Sequence, residues 1–186
     1  MKTPVRLMVG FLGLSLAAVA AAADKPVEAT WKKHDLNFSF VGFTSHYSCG
    51  GFEDKVDLLL AAAGARADAK VVASCMAPMG GPQEISTAHV VFRALVARKA
   101  GDGDQAVPPV QAAWKAVRLR AHSPADLGEG DCELVDQFAA KILPLFTVQD
   151  VENHTNCVPH EVNLGSIDLK YRVLAPLPKP KSAAAS

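Results

Sequence analysis

The sequence lacks an excess of charge of either sign. Its 186 residues carry 19 basic and 19 acidic side chains, so the formal net charge is zero. A polyanion such as nucleic acid therefore has no bulk electrostatic attraction to the chain, and we expect no nucleic-acid partner. Apolar residues make up 49% of the chain and charged residues 20%, which is the composition of an ordinary globular protein rather than of a disordered or fibrous one.

The sequence also lacks the short motifs that identify common reactions. It has no Gly-x-Ser-x-Gly elbow, no phosphate-binding glycine loop, no His-Glu-x-x-His zinc motif and no Cys-x-x-Cys redox pair. The absence of a motif does not exclude an enzyme, but it favours a non-catalytic protein. We therefore expect a binding or interaction protein without a cofactor, whose partner is another protein or a small molecule.

A long apolar run is present only near the N-terminus. Two basic residues precede the apolar run 7–20, and three alanines follow it and supply the small residues that a signal peptidase requires. The alternative, a membrane anchor, is disfavoured because a spanning helix needs roughly 20 apolar residues. We predict a signal peptide over residues 1–23, cleaved before Asp24, and no membrane span in the mature protein. Such a protein is periplasmic or secreted.

The first half of the mature chain has the pattern strand, helix, strand, strand. Apolar and polar residues alternate over 36–43, which predicts a half-buried strand. Apolar residues then recur at helical spacing from Phe52 to Ala63, and Gly64 is suited to the end of that helix. Residues 70–74 predict a short strand, and residues 86–97, rich in Val, Phe and Leu, predict a longer one.

The second half repeats this order. Residues 114–121 predict a strand, and a helix follows with Asp131 as its N-cap and Pro144 as its stop signal. Residues 146–151 predict a short strand. The last segment, 166–173, alternates most clearly, which indicates a strand with one face in water.

These patterns predict an α+β fold built from two βαββ-like halves. A sheet with one solvent-exposed face favours a two-layer sandwich in which both helices cover the other face. We expect a single domain over residues 24–175, with an additional edge strand at 27–32. Residues 176–186, rich in Pro, Lys and Ala, predict a flexible tail. The aspartates in the loop 101–104 could suit calcium, but no Glu stands at the twelfth position, so we expect an ordinary hairpin loop.

The four cysteines all lie in the mature part of the chain. An oxidising compartment stabilises disulfides, and an even count favours two bridges, although four cysteines allow three pairings. Cys49 and Cys75 are 26 residues apart, and Cys132 and Cys157 are 25 residues apart. In each half the first cysteine stands at the helix start and the second follows the short strand. The near-equal spacing therefore favours the pairs Cys49–Cys75 and Cys132–Cys157.

Two loops contain side chains that bind zinc or copper. The later loop has a His-x-x-Cys-x-x-His spacing, and the earlier loop has a cysteine followed by two methionines, a set that suits copper(I). A cysteine in a disulfide cannot be a thiolate ligand, which weakens the metal hypothesis. The remaining candidate binding residues are Met76, Met79, His154 and His160. We predict that a partner or a metal binds the face formed by the loops 75–82 and 154–160.

A catalytic thiol is a further alternative. Cys49 stands at a helix N-terminus, which lowers the pKa of a thiol, and His46 is three residues away. This chemistry needs a reduced Cys49, whereas a structural disulfide explains the cysteine without it, so we assign no catalytic residue. The sequence thus predicts an exported, non-catalytic binding or interaction protein of the bacterial envelope, with a periplasmic copper or zinc binder as the alternative.

Overall fold

The chain forms a mixed α+β fold. A computed structural model describes residues 25–74, 82, 84–98, 108–158 and 165–178. Within these ranges the chain has six strands and two α-helices, in the order strand, helix, strand, strand, repeated once. The elements are β1 (Val27–Val41), α1 (Cys49–Ala62), β2 (Lys70–Ser74), β3 (Ile85–Ala97), β4 (Val110–Arg120), α2 (Cys132–Lys141), β5 (Val148–Asn153) and β6 (Asp168–Pro176). The predicted class is therefore confirmed.

The six strands form one antiparallel sheet. Their order across the sheet is β2-β3-β1-β4-β6-β5, so β1 and β4 are the central pair and β2 and β5 are the edges. Neither helix in the described ranges has the length and apolar character that a membrane crossing requires.

The predicted edge strand at 27–32 is wrong. It is the first part of β1, a single strand of 15 residues that also contains most of the predicted strand 36–43. No Gly or Pro interrupts the chain from Val27 to Val41, so nothing stops the extended backbone between the two segments. Because β1 pairs with both β3 and β4, this segment lies in the centre of the sheet.

The helices form where the helical spacing predicts them. α1 begins after Ser48, whose hydroxyl accepts a hydrogen bond from the backbone N–H of Gly51 at 3.2 Å. Gly64, with φ of +86°, follows the end of α1 in the left-handed conformation that glycine adopts most readily. A short 3₁₀ turn that contains Pro144 follows α2. The buried apolar side chains in the interiors of the helices are Phe52, Val56, Leu59 and Leu60 in α1, and Leu134, Val135 and Phe138 in α2.

The sheet has apolar side chains on both faces. Its main core contains side chains from both helices together with one face of the strands, for example Phe38 and its cross-strand neighbour Ala88. A smaller apolar cluster contains Leu95 and Leu174, which pair with Trp31 and Trp114 respectively. Because successive strand residues point to opposite faces, this second cluster lies on the face away from the main core.

Candidate functional site

A disulfide connects the start of α2 to the loop after β5. Cys132 and Cys157 are bonded, with their Cα atoms 5.6 Å apart, which confirms one of the two predicted pairs. Cys49 is also in a disulfide, and Cys75, its predicted partner, lies outside the described residues. The sulfur of Cys157 is therefore not a thiolate ligand, and Cys49 has no free thiol for the chemistry considered with His46.

The predicted binding face lies largely outside the described residues. Met76, Met79 and His160 belong to the undescribed part of the chain. His154 is exposed at the end of β5, and its backbone N–H donates to the carbonyl oxygen of Asp168 at 2.9 Å. The described ranges contain no group of three or more His, Cys, Asp or Glu residues arranged to hold a metal ion. The loop site thus stays a prediction.

A buried carboxylate at the start of α2 holds three donors from elsewhere in the fold. Asp131, 5% exposed, accepts hydrogen bonds at 2.7 Å from the hydroxyl of Tyr47, from the ammonium group of Lys55 and from the backbone N–H of Gly128. Burial, and then the negative charge of Asp131, raises the pKa of the Tyr47 phenol. This network connects the start of α2 to α1 and to the loop that precedes α1.

Asp131 is the N-cap residue of α2, as predicted, but its side chain does not cap the helix. The carboxylate makes no hydrogen bond to the free amides of the first turn. A short 3₁₀ turn, Glu129–Asp131, precedes α2, and the carboxylate closes that turn by accepting from Gly128 instead. The spacing of apolar residues along α2 does not reveal the 3₁₀ turn before it, so the sequence gives no sign of the Asp131 network.

Glu133 is a second buried carboxylate in the first turn of α2. One of its oxygens, Oε2, accepts hydrogen bonds from the backbone N–H groups of Phe43 and Thr44 at 2.9 and 3.1 Å. The other, Oε1, is buried and has no hydrogen-bond partner. Glu133 lines a cavity of about 20 Å³. The other described residues around this cavity are Thr44, Ser45, Glu129, Gly130, Cys132, Cys157, Val158 and Gly165.

An apolar groove lies beside the second cluster, on the face of the sheet that points away from the main core. Its volume is about 770 Å³, and the described residues that line it are Trp31, Pro109, Val110, Gln111, Pro176, Leu177 and Pro178. The backbone N–H of Leu177 donates to the carbonyl oxygen of Gln111 at 2.9 Å, which holds the chain after β6 against the start of β4. The guanidinium carbon of Arg66 lies 5.9 Å from the ring centre of Trp31, a cation–π distance.

The sequence contained one signal for this groove. Its only two tryptophans, Trp31 and Trp114, both belong to strands that alternate. Alternation does not reveal which strands are neighbours, so the two rings could not be assigned to one cluster from the sequence.

Comparisons of the chain with protein-family models, with curated proteins and with solved structures found no match. The roles of the groove, of the Asp131 network and of the Glu133 cavity are therefore inferred from their chemistry.

Proposed function

We propose that the protein is an exported, non-catalytic binding protein of the bacterial envelope and that an apolar ligand binds in the groove beside Trp31. The observation that supports this function is the groove itself, at about 770 Å³. Ligand sites are typically concave and mostly apolar, with volumes of roughly 300–1,000 Å³. The export step rests on the predicted signal peptide over residues 1–23.

The groove favours an apolar ligand over a sugar or a phosphate. Of its described lining residues, Gln111 alone has a polar amide side chain, and none has a charged one. A polar ligand would lose its hydration there and gain few hydrogen bonds in return. The ligand class that fits is a hydrocarbon or aromatic group, on a small molecule or on a side chain of a partner protein.

Prolines and a backbone hydrogen bond restrict the walls of the groove, including the first residues of the segment predicted as a flexible tail, and this restriction favours binding. Pro109, Pro176 and Pro178 have restricted backbone dihedrals, and the hydrogen bond from Leu177 to Gln111 fixes one wall against the other. A wall that is already ordered loses little conformational entropy when a ligand binds.

We also propose that the domain is a two-layer sandwich made of two βαββ-like halves. Support comes from the strand order, which runs β1, β3, β2 outward on one side of the central pair and β4, β6, β5 on the other. Further support comes from the main core, to which both helices contribute. In this arrangement the helices cover one face, and the groove is on the other.

Energy transfer to a bound probe tests the groove. Both tryptophans belong to the second cluster, so their emission reports on this part of the protein. We expect the neutral apolar probe N-phenyl-1-naphthylamine to quench this emission saturably in the mature protein. Trp31→Ala, which keeps Trp114 as donor, and Leu177→Asp, which places a charge at the groove, should each weaken probe binding at least tenfold.

A matched control separates the groove from other exposed apolar residues. Val72 of β2 is 58% exposed and does not line the groove, so Val72→Ser should leave probe binding unchanged. Far-UV circular dichroism of each variant verifies folding. Wild-type protein without saturable energy transfer, or Trp31→Ala and Leu177→Asp variants that bind the probe as tightly as wild type, would refute the proposal.

The alternative proposal, a copper or zinc binder, has a separate test. With Cys157 in a disulfide, the available ligands from the predicted set are Met76, Met79, His154 and His160. Titration with copper(I) and with zinc, followed through the histidine ring signals by NMR, should shift His154 and His160 if these loops bind metal. Silent signals from both histidines would remove this alternative.

A further inference from the structure

Only one of the two oxygens of the buried Glu133 carboxylate has hydrogen-bond donors. The residue is 9% exposed, and its Oε2 already accepts two backbone N–H groups. Its Oε1 is buried without a partner. Burying half of an ionised carboxylate in this way is unfavourable unless a positive charge or a donor approaches the bare oxygen.

No basic side chain of the Asp131 network donates to Oε1 of Glu133. The ammonium group of Lys55, the basic group of that network, donates to Asp131 and to the carbonyl oxygen of Asp126 instead. Glu129 also lines the cavity and is exposed to solvent. Two acidic residues are therefore among the described residues that line one small cavity, and their combined field attracts a cation.

The cavity has the size and chemistry for a single hard cation. A space of about 20 Å³ suffices for one water molecule or one metal ion. Thr44 and Ser45, whose side chains carry hydroxyls, and Gly130 and Gly165, which have no side chains, are also lining residues, and the Ser45 hydroxyl donates to the carbonyl oxygen of Gly130. Carboxylate, hydroxyl and carbonyl oxygens are the ligands of Ca²⁺, which also retains water in its coordination shell.

Gly165 illustrates how closely this lining is packed. A Cβ atom added at Gly165 would lie 3.2 Å from both the carbonyl oxygen of Asn156 and the sulfur of Cys132. The disulfide and the backbone around Gly165 thus hold one side of the cavity in place, and the Glu133 hydrogen bonds to Phe43 and Thr44 hold the other.

We propose that this cavity is a Ca²⁺ site in which Glu133 is the buried anionic ligand and Glu129 the outer one. The site is independent of the groove beside Trp31. A bound ion would join the loop before α1, the first turn of α2 and the loop at the disulfide. The described lining of the site contains two acidic residues, so we expect weak affinity, in the range of about 10⁻⁴ to 10⁻³ M that is typical of extracellular calcium modules.

Calcium titration of the chelator-treated mature protein tests the proposal. Isothermal calorimetry and the melting temperature should both report saturable binding of one Ca²⁺ per chain, with Mg²⁺ weaker because it demands a smaller, octahedral shell. Glu133→Gln keeps the size of the side chain but removes its charge, and it should weaken Ca²⁺ binding at least tenfold. Glu129→Gln should weaken it less, since this carboxylate is exposed.

Glu53 supplies the matched control. Its carboxylate accepts a backbone N–H, that of Ala73, at 2.7 Å, and Glu53 lies on α1 and is not among the residues that line the cavity. Glu53→Gln should leave Ca²⁺ binding unchanged. If Glu133→Gln does not fold, the Glu129→Gln variant still decides the outcome, because it alters an exposed residue.

Three results would overturn the proposal. The first is the absence of saturable Ca²⁺ binding by the wild-type protein, which would mean that Oε1 needs no metal ion. The second is Ca²⁺ binding that neither Glu133→Gln nor Glu129→Gln weakens, which would place the ion elsewhere. The third is equal loss of binding in Glu53→Gln, which would indicate a general structural effect.

Discussion

Replacing Asp131 with alanine should strongly destabilise the fold, although Asp131 belongs to no apolar core. The substitution leaves the hydroxyl of Tyr47, the ammonium group of Lys55 and the N–H of Gly128 without their acceptor. Breaking a buried ion pair costs about 3–5 kcal/mol, and each buried donor left unpaired costs about 1–3 kcal/mol.

The exposure of Lys55 reduces this sum. The Lys55 side chain is 26% exposed, so its ammonium group can turn to water after the substitution, whereas Tyr47 is mostly buried. The costs that remain are those of the unpaired Tyr47 hydroxyl and the unpaired Gly128 N–H, so we expect the free energy of unfolding to fall by about 3–4 kcal/mol, which is less than the sum of all three costs. For a domain of this size the melting temperature should fall by about 10 °C.

Urea denaturation followed by circular dichroism, with the disulfides intact, measures this change. Tyr47→Phe, which removes one of the three hydrogen bonds, should cost about 1 kcal/mol. Asp35→Ala is the surface control, because Asp35 is exposed and pairs with Lys33 and His89 in water, where ion pairs contribute little. An Asp131→Ala variant as stable as Asp35→Ala would show that the network does not stabilise the fold.

Two further predictions concern the disulfides and pH. Peptide mapping without reduction should recover Cys132 bonded to Cys157 and Cys49 bonded to Cys75, and a peptide that links Cys49 to Cys132 would contradict this pairing. Replacing both Cys132 and Cys157 with alanine should lower the free energy of unfolding by about 3.5 kcal/mol, the loop-closure value for 25 residues. Burial, and then the charge of Lys32, lowers the pKa of His34, so the unfolded state binds more protons and stability should decrease as pH falls below 6.5. The melting temperature of His34→Phe should decrease less between pH 7.5 and 5.5, and an equal decrease would refute this role.

Local patterns determined most of the secondary structure. α1 follows from the helical spacing of Phe52, Val56 and Leu59 and from Gly64, and β2 forms at the predicted residues 70–74. These features depend on neighbours within a few residues, which the sequence displays directly. The near-equal spacing of the cysteines likewise predicted the Cys132–Cys157 bond.

The candidate sites depended on contacts that no local pattern reveals. β1 is central because β3 and β4 pair with its two edges, and this pairing brings Trp31 and Trp114 into one cluster. The bare oxygen of Glu133 likewise results from the way distant segments pack. Pairing and packing are decided by the total apolar area buried and by the geometry of loop closure, so the same periodicity is compatible with many strand orders. The sequence by itself therefore determined the helices, most strands and a disulfide, while the tertiary structure decided where a ligand and a cation have room to bind.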